Sequence, residues 1–369
     1  MMNKARKELE RARLDGSAHQ ELRYVAATSA DGYTFDQNMV RRASVLWALQ
    51  YDRRPEDLPL LRWLVQQEAI CSREAPFQGL TEESKLAGFL LVEHRHVEDV
   101  WLHWELKRAN FDTFCGYDLE YLLASGVSST IEFVRSSTHT NRDAVLGHLL
   151  DGNGQPKITD ADLDLDLWLT HMRSWFPTDP GEEAPITWVD RAQLVGDLNA
   201  ARRYLDQWAD GRERDPAMLS QLRYRLAVLG DFAEAAGAQR ELLSFTTNAW
   251  DRASAWCSLA ELERQAGDHQ AAWNGLSECA QSLSDVPDWQ EYGLGRSYVE
   301  ELFQLSLAAD DELAKTAFAA AHRVASTVPR LPFVVLEAAA KAAARIGDQR
   351  QTEHYRALRD AERRRIDTE

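Results

Sequence analysis

No stretch of this chain stays apolar for the ~18 residues that a helix needs to cross a bilayer. The opening residues, MMNKARKELERARLDG, alternate charges and lack the apolar centre of a secretory signal. Cysteine is scarce: Cys71, Cys115, Cys257 and Cys279 stand far apart with no C-x-x-C pair. That excludes a disulfide scaffold and fits free thiols in a reducing compartment. Together these absences predict a cytoplasmic protein without a membrane partner. An excess of basic residues is missing too. The net charge is −17, a surface that repels phosphate backbones and anionic lipid. No helix-turn-helix pattern offsets it, so no nucleic acid is expected. The arginines at 359 and 363–365 read as the last turns of a final helix, where cations suit the dipole. There is no Walker loop, G-x-G-x-x-G, G-x-S-x-G or zinc spacing, so no cofactor is expected and an enzyme is the less favoured reading.

What the chain does contain is helical periodicity and tryptophan, with 12 copies able to fill a core. Leu219, Leu222, Leu226 and Leu229 recur at i, i+3, i+7 and i+10, one buried stripe of a helix. Extended alternation is rare. The nearest case, Leu163 to Leu167, is read as opening a helix that runs through Trp168, Met172 and Trp175, with Thr159 and Asp162 as its capping box. The segment 177–187 holds prolines and a glycine without a stripe and is read as a linker between domains 1–176 and 188–369. The first domain reads as irregular α-helices at about 36–52, 57–72, 81–93, 97–109, 118–125, 127–136 and 141–150, each boundary good to about two to four residues. Two of these helices meet at His94–His96, a hint that the first domain continues the plan of the second.

That plan is a repeat. Gly-Asp occurs at 196–197, 230–231, 267–268 and 347–348, at intervals of 34, 37 and 80, with Ala309-Asp310 as a degenerate copy midway through the last. Periods of this length mark stacked helical pairs. Glycine takes the left-handed conformation that ends a helix, and aspartate caps the next one. Five residues after each Gly (or Ala309) comes a residue small enough for close helix approach: Ala201, Ala235, Ala272 and Ala314, with Thr352 departing after Gly347. Around 253–286, Trp256, Leu259, Ala260, Gly267, Asp268, Ala272 and Leu276 stand at the relative spacings of the tetratricopeptide repeat, which the second domain resembles. The first-helix tyrosine usual in that family is replaced by Leu226, Glu263 and Ala343. The resemblance implies an all-α fold, an α-solenoid of antiparallel helix pairs over 188–369, with a groove for a protein or peptide.

Three constellations are candidates for chemistry. Cys115, in NFDTFCGYD, precedes a helix expected near Asp118; a thiol at a helix N-terminus is activated, and His94, His96 or His103 would act as base. The bland reading is a small thiol in a tight aromatic turn. The same histidines fit a metal poorly, since His96 and His103 are seven apart, about two helical turns. Asp151, Asn153, Gln155 and Asp162 fall at calcium-loop positions one, three, five and twelve, but Pro156 stands where the loop requires a positive-φ glycine, so no metal is expected. Trp101 and Trp104, sharing a helix face, with Tyr117 and Tyr121 would either anchor a partner or fill the core.

The favoured function is an interaction or scaffold module that holds a protein or peptide, a basic one given the charge. The alternatives are an enzyme with a thiol site at Cys115 and a regulatory protein that senses a ligand or peptide.

Overall fold

A computed structural model of the chain describes residues 1–30 and 32–368, with every side chain among them but that of Gln78. The fold is mostly α and divides into two compact units, Met1–Gly196 and Asp197–Glu369.

Unit 1 contains α1 (Met2–Leu14), α2 (Met39–Tyr51), α3 (Leu58–Glu74), α4 (Glu82–Val92), α5 (Val100–Lys107), α6 (Phe111–Gly116), α7 (Val127–Ser136), α8 (Arg142–Leu149), α9 (Leu165–Trp175) and α10 (Pro185–Leu194). Helix α3 is its centre, because Leu60, Leu61, Leu64, Val65 and Ala69 are all buried and both α4 and α5 lie against it. The two helices that meet at His94–His96 thus share α3 as their main neighbour. A short antiparallel hairpin, β1 (Ala26–Thr28) and β2 (Thr34–Asp36), was not expected from the sequence. It is fastened by charge. Asp36 points inward to the fully buried Arg42 (2.7 Å), whose Nε reaches Glu68 at 2.5 Å. Glu68 in turn accepts the Ser84 hydroxyl at 2.9 Å. One buried guanidinium therefore ties the hairpin to α2, α3 and α4, and a buried charge is tolerated only when paired in this way.

Three expectations for unit 1 need correction. The helix expected at 118–125 is only a 3₁₀ turn, Leu119–Tyr121. Its place is taken by α6, which starts earlier because Asn110 and Thr113 form a reciprocal capping box. Helix α9 begins at Leu165, not near Thr159; Asp164 caps it by accepting Leu167 N–H, while Asp162 turns back on Thr159. The proline-rich segment 177–187 is held by unit 1, not free as a linker: Gln50 donates to the Pro177 carbonyl and to buried Glu183, and Pro185 opens α10.

Unit 2 contains α11 (Leu198–Ala209), α12 (Pro216–Val228), α13 (Phe232–Leu243), α14 (Ala249–Gln265), α15 (His269–Leu283), α16 (Gly293–Ala308), α17 (Asp311–Ala325), α18 (Phe333–Arg345) and α19 (Gln349–Ile366). Helices α12 to α19 form four consecutive antiparallel pairs, and α16 also packs on α14 and α18. The Gly-Asp turns explain the pairing. At Gly267 the backbone is left-handed (φ +85°), and two hydrogen bonds close the helix: Gly267 N–H to Arg264 O and Asp268 N–H to Glu263 O. The same pair of bonds recurs at Gly230-Asp231 and Gly347-Asp348. Asp197, Asp268, Asp310 and Asp348 then cap the following helix through the side chain. Asp231 alone does not, because Arg202 takes its carboxylate at 2.7 Å.

The small residues after these turns, Ala201, Ala235, Ala272 and Ala314, are fully buried. Thr352 is buried as well and satisfies its hydroxyl on the Asp348 carbonyl. The degenerate turn lacks glycine, so Ala309 is extended and the α16 carbonyls would be left open. Arg345 of α18 supplies the missing donors, hydrogen-bonding the Ser306 and Ala309 carbonyls.

Candidate functional site

The thiol constellation does not assemble. Cys115 lies exposed in the last turn of α6, not at a helix N-terminus, and makes no hydrogen bond to a histidine among the described residues. Lys107 closes that turn by donating to the Phe114 and Tyr117 carbonyls. Asp118, exposed beyond it, accepts the Trp168 indole N–H at 3.0 Å. His94 and His96 stack on each other at the α4–α5 corner, where Arg95 takes a left-handed conformation. Burial and the neighbouring His96 hold His94 below the usual imidazole range. His103 is sealed in the core and bonds Tyr117.

The aromatic candidates are mostly interior. Tyr117 and Tyr121 stack at 3.9 Å, and Trp104 is buried on α5. Trp101 is half-buried against His139, with ring centres 4.0 Å apart. Trp104, Tyr117 and Tyr121 are thus core, out of a partner's reach, and only Trp101 keeps an exposed edge. In the calcium-like loop, the Asp151 carboxylate accepts N–H groups of Asn153 and Gln155, and Asp162 is spent on Thr159. Both carboxylates thus serve the loop's own backbone, and no group of three His, Cys, Asp or Glu side chains placed to hold a metal occurs among the described residues.

A site of a different kind lies along unit 2. The first helices of successive pairs, α12, α14 and α16, leave two adjoining clefts between them. The cleft between α12 and α14 holds about 430 Å³, and that between α14 and α16 about 320 Å³; both are lined by Ser258 and Glu261. Helix α14 faces them with Ser254, Ser258, Glu261 and Gln265, a stripe at i, i+4, i+7 and i+11. Buried Ala253, Cys257 and Ala260 flank that stripe on one side and buried Leu259 and Leu262 on the other. The α12 wall brings Tyr224 and Val228, both more than half exposed. The α16 wall brings Ser297, Glu300, Glu301 and Gln304.

Electrostatics single out the second cleft. Arg264 grips Glu301 through two hydrogen bonds, 2.5 and 3.1 Å. Desolvation, with Glu261 and Glu300 nearby, nevertheless pushes the Glu301 carboxyl up to about 7, and burial with Glu261 raises Glu300. Arg264 is raised against desolvation by Glu301, Glu261 and Glu300 together, so the two partners' shifts favour opposite charge states. The bidentate geometry decides for an ion pair. With Arg264 committed to Glu301, Glu261 and Glu300 are the surplus negative charge of a polar cleft. None of these residues was singled out from the sequence, although the polar i, i+4, i+7 stripe on α14 was readable there.

No protein-family model matches the chain, and no curated protein matches it. The site therefore has to be read from its own geometry. Among the described residues no helix is long and apolar enough to cross a membrane.

Proposed function

We propose that unit 2 is an interaction module of the tetratricopeptide type, whose groove along α12, α14 and α16 receives an extended basic segment of a partner protein. The observation that carries this reading is the surplus of carboxylates, Glu261 and Glu300, in the cleft between α14 and α16. A lysine or arginine side chain would relieve their mutual repulsion, which adds to desolvation in raising Glu300. The serines and Gln304 offer hydrogen bonds to a peptide backbone, and exposed Tyr224 offers an aromatic surface one cleft away. Three identical glycine turns and the buried alanines behind them support the repeat type.

Panning a phage-displayed random peptide library against the full-length protein tests the reading. Enriched peptides are expected to carry Lys or Arg, to lose affinity as salt rises, and to bind Glu300→Lys about tenfold or more weakly, a loss of about 1.4 kcal/mol. A library that yields no enrichment, or peptides that bind this variant as well as the wild type, would refute it.

A further inference from the structure

Unit 1 has a cleft of its own, of about 260 Å³, where the start of α4 faces Trp47 of α2, the end of α9 and α10. Its walls are aromatic and its charged groups mostly acidic. Trp47, Trp175 and Phe176 supply rings, and Glu82, Glu83 and Asp190 supply carboxylates. One cation, Arg191, also lines it, but that charge is already matched. Its guanidinium contacts the Tyr51 hydroxyl, the Gln50 side-chain Oε1 (2.7 Å) and Glu183 (3.4 Å), and lies over Trp47 and Trp188. An anion would find little left to bind there.

The carboxylates are not equivalent. Glu82 is neutralised by Lys85 at 2.8 Å and accepts the Trp175 indole N–H at 3.0 Å. Glu83 accepts the Trp47 indole N–H at 3.1 Å and takes part in no ion pair among the described residues. Desolvation, with Glu68 nearby, holds its carboxyl above the usual range despite the Trp47 hydrogen bond and the more distant Arg191. The neighbouring wall displays what such a place recognises. The Lys85 ammonium sits 5.0 Å from the Trp175 ring centre and against Glu82, so a cation is held there by an indole and a carboxylate together.

We propose that this cleft binds a small organic ammonium ion, with its charge against Glu83 and its hydrocarbon against Trp175. The volume falls just below the roughly 300 Å³ at which pockets begin to take drug-sized ligands, which suits a molecule of choline's size. This site is independent of the repeat groove, and either reading stands if the other fails.

Tryptophan fluorescence and calorimetric titration of the full-length protein test it, with choline, tetramethylammonium and butylammonium as probes. The neutral isostere of choline, 3,3-dimethylbutan-1-ol, is the control. At least one cation is expected to saturate, and the alcohol to bind about tenfold or more weakly. Glu83→Gln keeps the acceptor for Trp47 and removes the charge; it is expected to weaken the cation about tenfold. Trp175 is half exposed, so Trp175→Ala leaves the core intact and is expected to weaken the cation severalfold. Glu300→Lys, in the repeat groove, is expected to change nothing here. The proposal is overturned if no cation saturates by about 50 mM, a binding energy below about 2 kcal/mol. It is also overturned if the alcohol binds as well as choline, if both unit 1 variants retain wild-type affinity, or if Glu300→Lys abolishes binding.

Discussion

His103 is held neutral by its position. Its ring projects from α5 against the Tyr117–Tyr121 stack, Nδ1 shares a hydrogen bond of 2.8 Å with the Tyr117 hydroxyl, and Nε2 has no partner among the described residues. Desolvation alone takes the imidazole from 6.5 to about 3. The unfolded chain therefore binds a proton at a pH where the folded chain does not. The stability that depends on a neutral ring is complete above about pH 6.5 and declines as pH falls toward about 3, by about 1.4 kcal/mol per pH unit. His103→Phe abolishes this dependence while adding a constant cost for the unpaired Tyr117 hydroxyl. Urea unfolding at pH 7.5 and pH 5 is expected to show the wild type losing about 2 kcal/mol more than the variant between the two conditions. Equal losses would mean that the folded protein admits water or a proton to this ring. The sequence reading placed His103 among possible catalytic bases because residue type and spacing carry no information about depth. Burial separates it from exposed His96 seven residues away.

The helical pairs were legible because a turn is a local object. Gly267, Asp268 and Ala272 lie within six residues of sequence, and each states its role by type alone: a positive φ, a cap and a close approach. The element that departs from the rule was legible only as a departure. Nothing near Ala309 announces that Arg345, 36 residues on, covers its carbonyl and that of Ser306, the second of which a glycine turn would have satisfied. The candidate groove was hidden for the same reason. Glu261 and Glu300 come from different helices, and only the stacking of α14 on α16 makes them neighbours. This division between local and distant devices is testable in unit 2. Gly267→Ala forces a side chain into a left-handed backbone with open space around it, so its cost is conformational, about 1 kcal/mol. Arg345→Met leaves two carbonyls without their charged donor and is expected to cost about 2–3 kcal/mol. Chemical denaturation of both variants checks the order; a larger loss for the glycine variant would show that the α16 carbonyls find other donors.

At the scale of the whole molecule, the chain carries two hydrophobic cores. One gathers residues from Ala5 to Phe176, the other from Ala253 to Tyr355, each within its own compact unit. The repeat on one side and its absence on the other suggest a division from the sequence, but the proline-rich stretch that marks it there is tied to unit 1 through Gln50 and Glu183. Composition marks where a chain lacks regular structure, and only contacts mark where a core ends. Two cores predict two cooperative transitions, because each loses its buried surface as a unit. Differential scanning calorimetry of the full-length protein is expected to give a calorimetric enthalpy well above the van't Hoff value. Gly267→Ala should lower one transition by roughly 2–4 °C, the shift that about 1 kcal/mol produces in a domain of this size. His103→Phe should move the other and remove that transition's share of acid sensitivity, leaving the first in place. If both substitutions displace one and the same transition, the cores melt together and the two units form a single cooperative body.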